Sequence, residues 1–141
     1  MKERIKRGRK SNMNKFRYIA WRDEKDEFKV SILVEERQPD GLDLGLPLKQ
    51  VVRHSPTGME WGYGGSGPSD TALSILTDYY VRSGLRSSRK EAIEAASKNG
   101  LYMDFKWEFI APAEKEGFKI TDVQIRDWLF KQAEKMDSEL G

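Results

Sequence analysis

At 141 residues the chain has room for one ordinary domain but not for two. It has no cysteine, which excludes disulfides, thiolate metal sites and cysteine nucleophiles and suits a reducing interior. The net charge of +2 conceals an asymmetry: residues 1–17 carry +7 and the remainder −5, so the body is not a uniformly basic nucleic-acid binder.

Hydrophobic residues make up 38% of the chain and fifteen residues are aromatic, enough for one core. No stretch approaches the roughly 20 apolar residues of a membrane span. The basic N-terminus has no apolar run behind it, so it is not a secretory signal. A cytoplasmic protein that does not meet a membrane is expected. Residues 1–15 read as a flexible tail and residues 16–141 as a single domain. The basic run from Lys2 to Arg17 has two readings. It is a solvated extension, even one upstream of a start at Met13, or an arm that touches nucleic-acid phosphates.

Phe16 to Trp21 reads as a strand, and the charged run Arg22 to Glu27 as a turn. Phe28, Val30, Ile32 and Val34 alternate with Lys29, Ser31 and Leu33, the period of a half-buried strand paired with the first. Residues 37–47, with two prolines and two glycines, read as a loop. Leu48 to Arg53 reads as a third strand. Ala72, Leu73, Ile75, Leu76, Tyr79 and Tyr80 recur at helical spacing. Ser66 or Ser69 can cap that helix, and Gly84 ends it. Ser88-Arg89-Lys90-Glu91 is a capping box opening a second helix that stops at Asn99-Gly100. Phe105, Trp107 and Phe109 alternate with Lys106, Glu108 and Ile110 and read as a strand. Thr121 with Gln124 is a second capping box, opening a last helix with Val123, Ile125, Trp128 and Leu129 on its apolar face. The expected fold is α+β, a small antiparallel sheet of three or four strands packed with two or three helices.

The segment His54 to Asp70 holds five glycines and two prolines in 17 residues. Ser55-Pro56-Thr57-Gly58 suits a β-turn. Gly62-Tyr63-Gly64-Gly65-Ser66-Gly67 spells G-x-G-x-x-G and leads into a helix, an arrangement that can aim N–H groups and a helix dipole at an anion. A dinucleotide fold would place it after the first strand of a parallel unit, and here it follows an antiparallel hairpin. A Walker loop would need Lys-Ser/Thr where this chain has Pro68-Ser69. The nucleophile elbow G-x-S-x-G fails at its last position. The loop therefore reads either as an anion cradle or as a structural turn that packs Trp61 and Tyr63.

His54 is the only histidine. Without cysteine or paired acids beside it, no metal site is expected. As a general base it has Glu60 and Asp70 as candidate partners, which makes His54 and Glu60 the weak catalytic candidates. A hydrogen-bonded structural histidine is the competing reading. Phe105, Trp107, Phe109 and Trp128 could stack bases, but their periodicity makes them core residues first.

The runs HSPTGMEWGYGGSGPSDTALSIL, YMDFKWEFIA and ITDVQIRDWL resemble an uncharacterised small-domain family of bacteria, phages and plasmids. That family's signature looks like HSPTGFEWGYGGSGP, followed by a helix, an FKWE strand and a helix ending in Trp-Leu. The resemblance covers residues 50–130. Met59 stands where Phe is usual, and Ser69-Asp70-Thr71 makes the helix start polar. It implies a mobile-element setting, where small proteins neutralise host immunity or assist replication, and it implies no reaction.

Four functions follow, in this order. The first is a non-catalytic binding protein that grips a phosphate-bearing, nucleotide-like ligand through His54, Glu60, Trp61, Tyr63, Gly64, Gly65, Ser66, Gly67 and Asp70. The second is an inhibitor of a host defence nuclease. The third is a small hydrolase using His54 and Glu60. The fourth is a DNA-binding accessory protein using the basic tail. No cofactor is called for, and an oligomer is open to all four.

Overall fold

In a computed structural model, residues 15–140 are described; the basic residues from Lys2 to Lys10 lie outside them. Three strands come first among the described residues: β1 (Phe16–Arg22), β2 (Val30–Arg37) and β3 (Asp43–Pro47). The helices α1 (Ser66–Arg82), α2 (Arg89–Ser97) and α3 (Leu101–Phe105) follow, and α3 continues as a π-helical turn (Lys106–Ile110). The strand β4 (Gly117–Thr121) and the helix α4 (Asp122–Leu140) complete the described residues. The fold is α+β, with one antiparallel sheet in the order β3-β2-β1-β4.

Alternation gives the sheet one buried face. Phe16, Tyr18 and Ala20 of β1, Ile32 and Val34 of β2 and Ile120 of β4 point into the core. Helix α1 is buried almost throughout from Gly67 to Tyr80, as a helix enclosed on several sides must be. Two polar ties fix it to the sheet. Tyr18 donates its hydroxyl to Asp78 at 2.6 Å, and Arg82 donates to both Asp78 and Glu36.

Three sequence expectations need correction. The stretch 37–47 is not all loop. Gly41 N donates to Gln38 O across the Pro39-Asp40 turn, with Gly41 at φ +89°, and the chain returns as β3. Leu48 to Arg53 is not a strand, because its donors go elsewhere. Val51 N bonds Ser74 Oγ and Arg53 N bonds Asp70, both on α1. Residues 105–110 are helical. Tyr102, Phe105, Lys106 and Ile110 are buried while Trp107 and Glu108 face out, a helical rather than an alternating period. No strand lies there; the fourth strand is β4, which the sequence reading did not anticipate, and its pairing with β1 runs from Arg17–Thr121 to Trp21–Gly117.

Both capping boxes open helices. Ser88 Oγ accepts Glu91 N at 3.1 Å at the start of α2. At α4, Thr121 Oγ1 accepts Gln124 N and Gln124 Oε1 accepts Thr121 N, the reciprocal pair. Helix α1 starts differently: its N-cap is Gly65, with no side-chain cap bond, so Ser66 lies inside the first turn. No helix among the described residues is long and apolar enough to cross a membrane.

Candidate functional site

The segment between β3 and α1 is held by side chains of α1. Asp70 is fully buried and would be costly there without partners. It accepts the backbone N–H groups of Arg53, His54 and Ser55 at 3.1, 2.9 and 2.9 Å, and the side-chain amide of Gln50 at 3.2 Å. Thr71 Oγ1 lies 2.7 Å from Glu60 O and accepts Glu60 N at 3.0 Å. Trp61 is 1% exposed, edge-on to Phe118, and donates its indole N–H to Lys115 O at 3.1 Å. The loop is thus bonded on both sides, and Trp61 is its apolar anchor. Tyr63 is not a second anchor, being 52% exposed.

The glycines have specific neighbours. Between residues 62 and 67 only Gly62 has a positive φ, +87°. A Cβ at Gly64 would overlap the Trp107 ring. One at Gly65 would stand 2.5 Å from Tyr63 Cε2, and one at Gly67 2.8 Å from Glu60 Cβ. In this conformation the protein's own side chains use the space that glycine leaves.

Beside this loop lies an open cleft of about 920 Å³. One wall is the β1–β2 turn, with Phe28, Lys29 and Val30; the other is the loop, with Thr57, Glu60 and Tyr63. Ser66 and Gly67, at the start of α1, reach it too. Arg22 forms part of its lining. It donates to both carboxylate oxygens of Glu60, at 2.7 and 3.0 Å, and stacks 4.4 Å from the centre of the Trp61 ring. The Glu60 bonds raise the Arg22 pKa further, so the guanidinium stays charged. Lys115 pairs with Glu27 at 3.0 Å. The cleft therefore has basic groups against a pair of acids, an aromatic on each wall, and a helix start whose first turn holds no acid.

The structure divides the residues nominated from sequence. Glu60, Trp61, Tyr63, Ser66 and Gly67 line the cleft. His54, Gly64, Gly65 and Asp70 do not. His54 Nε2 lies 2.7 Å from Tyr102 Oη, and Asp70 is spent on the loop amides. With Glu60 held by Arg22, His54 and Glu60 have separate partners and form no acid–base pair. Of the basic tail, Lys15 bonds Asp122 through its backbone N–H and Arg17 is paired with Glu35 at 2.9 Å.

Sequence reasoning missed Arg22, Phe28, Lys29 and Lys115. Phe28 carried a signal: a large aromatic beside a charged turn. Lys106 was missed for another reason, since the strand reading placed it on a solvent face.

Residues 18–131 match the model of a family described as Family of unknown function (DUF6166), most of the chain. The chain belongs to that family. No curated protein and no solved structure matches it.

Proposed function

We propose that this member of a family of unknown function is a non-catalytic binding domain that holds a phosphate-bearing, nucleotide-like ligand in the cleft beside the glycine loop. One observation carries the reading. Phe28, 83% exposed, and Tyr63, 52% exposed, both line a cleft that also holds Arg22, Lys29 and Lys115. A flat ring can stack on these exposed aromatics while Lys29, which has no carboxylate partner among the described residues, and the start of α1 meet the phosphate. Side chains so exposed gain little from the fold and have area to give to a ligand.

The resemblance to domains of bacteria, phages and plasmids supports a setting in counter-defence, where capture of a nucleotide signal would blunt a host response. A second reading, inhibition of a host defence nuclease by protein contact, draws on a separate apolar groove of about 590 Å³. Leu85, Leu101, Leu129, Phe130 and Met136 are among the residues lining it.

The test is calorimetric titration with nucleoside mono- and triphosphates. Saturable binding that Phe28→Ala weakens about tenfold or more is expected, the scale of one lost stacking partner. Binding unchanged by Phe28→Ala would remove the cleft from the account. A stable nuclease complex without nucleotide binding would put the second reading first.

A further inference from the structure

Outside the cleft's lining, Lys106 is 3% exposed, and no carboxylate among the described residues pairs with it. Its ammonium group donates to one neutral acceptor, Ser69 Oγ at 3.1 Å, and Ser69 in turn donates to Gly65 O. The remaining N–H donors of Lys106 meet no acceptor among the described residues. The Trp107 ring lies 4.4 Å from Nζ and rests on Gly64, yet Trp107 is 59% exposed. An ammonium ion buried without a counter-charge is expensive. Here it bonds Ser69 near the positive end of α1, whose first turn carries no acid, so two positive features adjoin with no carboxylate paired to the ammonium among the described residues. Burial also holds the Lys106 pKa below its ordinary value, and no acid offsets that.

We propose that Lys106 and Ser69, together with the backbone N–H groups at Gly64 to Gly67, form a closed oxyanion site for a phosphate group, free or as a monoester, and that Trp107 is its cover. The face-on ring partly satisfies the ammonium ion while the site is closed. An arriving phosphate displaces the ring, takes the unused Lys106 donors and supplies the missing negative charge. Gly64 is bare because the closed ring has to lie against the backbone there. Lys106, Ser69 and Trp107 are not among the residues lining the cleft, and the two sites share only the start of α1 at Ser66 and Gly67.

The test uses isotope-labelled full-length protein and inorganic phosphate, with chloride at matched ionic strength as the control. Saturable amide shifts centred on Gly64 to Gly67 and Lys106 are expected, with a melting temperature that rises with phosphate. Lys106→Met should abolish both responses. Trp107→Ala should tighten phosphate severalfold by removing the closed state. Phe28→Ala should leave the phosphate response intact while weakening a nucleotide in the cleft, so the two readings fail separately. Adenosine monophosphate that competes with phosphate identifies a monoester as the occupant; if it does not compete, the occupant is the free ion. Either result upholds the site. A phosphate response that survives Lys106→Met, or shifts scattered over surface lysines, would overturn it. Should Lys106→Met fail to fold, the wild-type shift map decides on the same terms.

Discussion

Asp70 is the residue on which the loop most depends. It has given up water for three backbone N–H groups and one side-chain amide, so truncation leaves buried donors unpaired. Asp70→Ala should cost about 3–5 kcal/mol by urea denaturation. A cost below about 1 kcal/mol would show that the loop keeps its place without the carboxylate. Gly62 and Gly65 should behave differently from each other. Gly62→Ala meets backbone strain at φ +87°, about 1–2 kcal/mol, whereas Gly65, at φ −97°, resists only because Tyr63 lies over it. Gly65→Ala combined with Tyr63→Ala should therefore recover most of the stability lost in Gly65→Ala, and a simple sum of losses would contradict the packing described. Lys106 predicts a pH effect. Burial lowers its folded pKa below the ordinary 10.5, so the native state binds fewer protons than the unfolded one. The cost is full below that lowered value and fades as pH rises from it to 10.5. Tyr18 acts in the opposite sense. Burial, then Asp78, raises its pKa well above 10, so stability falls once the unfolded tyrosine ionises. Subtracting the Lys106→Met profile from the wild-type profile cancels Tyr18. Relative to the variant, the wild type should gain stability as pH rises toward 10.5, and a difference independent of pH would mean that Lys106 is not a buried cation.

Elements with a chemical end signal were legible in sequence. The Ser88 and Thr121 boxes located two helix starts because a hydroxyl and an acid or amide three residues apart satisfy end groups the helix leaves open. Ser88→Ala should cost about 1 kcal/mol, measured by thermal melting, through the lost bond to Glu91 N. No change would show that Ser87, which donates to the Glu91 carboxylate at 2.7 Å, carries that end. Elements defined by distant partners were not legible. Leu48 to Arg53 is apolar enough for a strand, but Asp70 and Ser74 claim its donors. β4 is only five residues long and is a strand because β1 lies open beside it. The misreading of 105–110 has one cause. Tyr102, Phe105, Phe109 and Ile110 have helical spacing, and the lysine among them at 106 imitated an alternating strand. A charge on the buried face of a helix breaks the local pattern, and such breaks are where function is to be sought.

For the molecule as a whole, the α+β class followed from a hairpin succeeded by capped helices. The informative loop was visible from its glycines and aromatics alone. The cleft was not, because part of its lining comes from the β1–β2 turn, some thirty residues earlier, and nothing in the sequence says that Phe28 and Tyr63 line the same cleft. The two walls converge because α1 fixes the loop through Asp70 and Thr71, while Arg22, at the end of β1, reaches across to Glu60. Substitution should report on that clasp. Arg22 is partly buried and stacked on Trp61, so Arg22→Met should lower the melting temperature and loosen the loop, whereas Lys115→Met, with its exposed partner Glu27, should change stability by less than about 0.5 kcal/mol. Equal losses would contradict the assignment of Arg22 as the brace between the walls. The claim that this cleft is a ligand site is tested most directly by what the protein carries from the cell. Wild type and a Phe28→Ala, Tyr63→Ala double variant would be purified gently side by side, and the small molecules released on denaturation identified by mass spectrometry. The wild type should release a phosphate-bearing compound with a planar ring, and the variant at most about a tenth as much, the scale set by lost stacking. No such compound from the wild type, or equal yields from both proteins, would contradict the account.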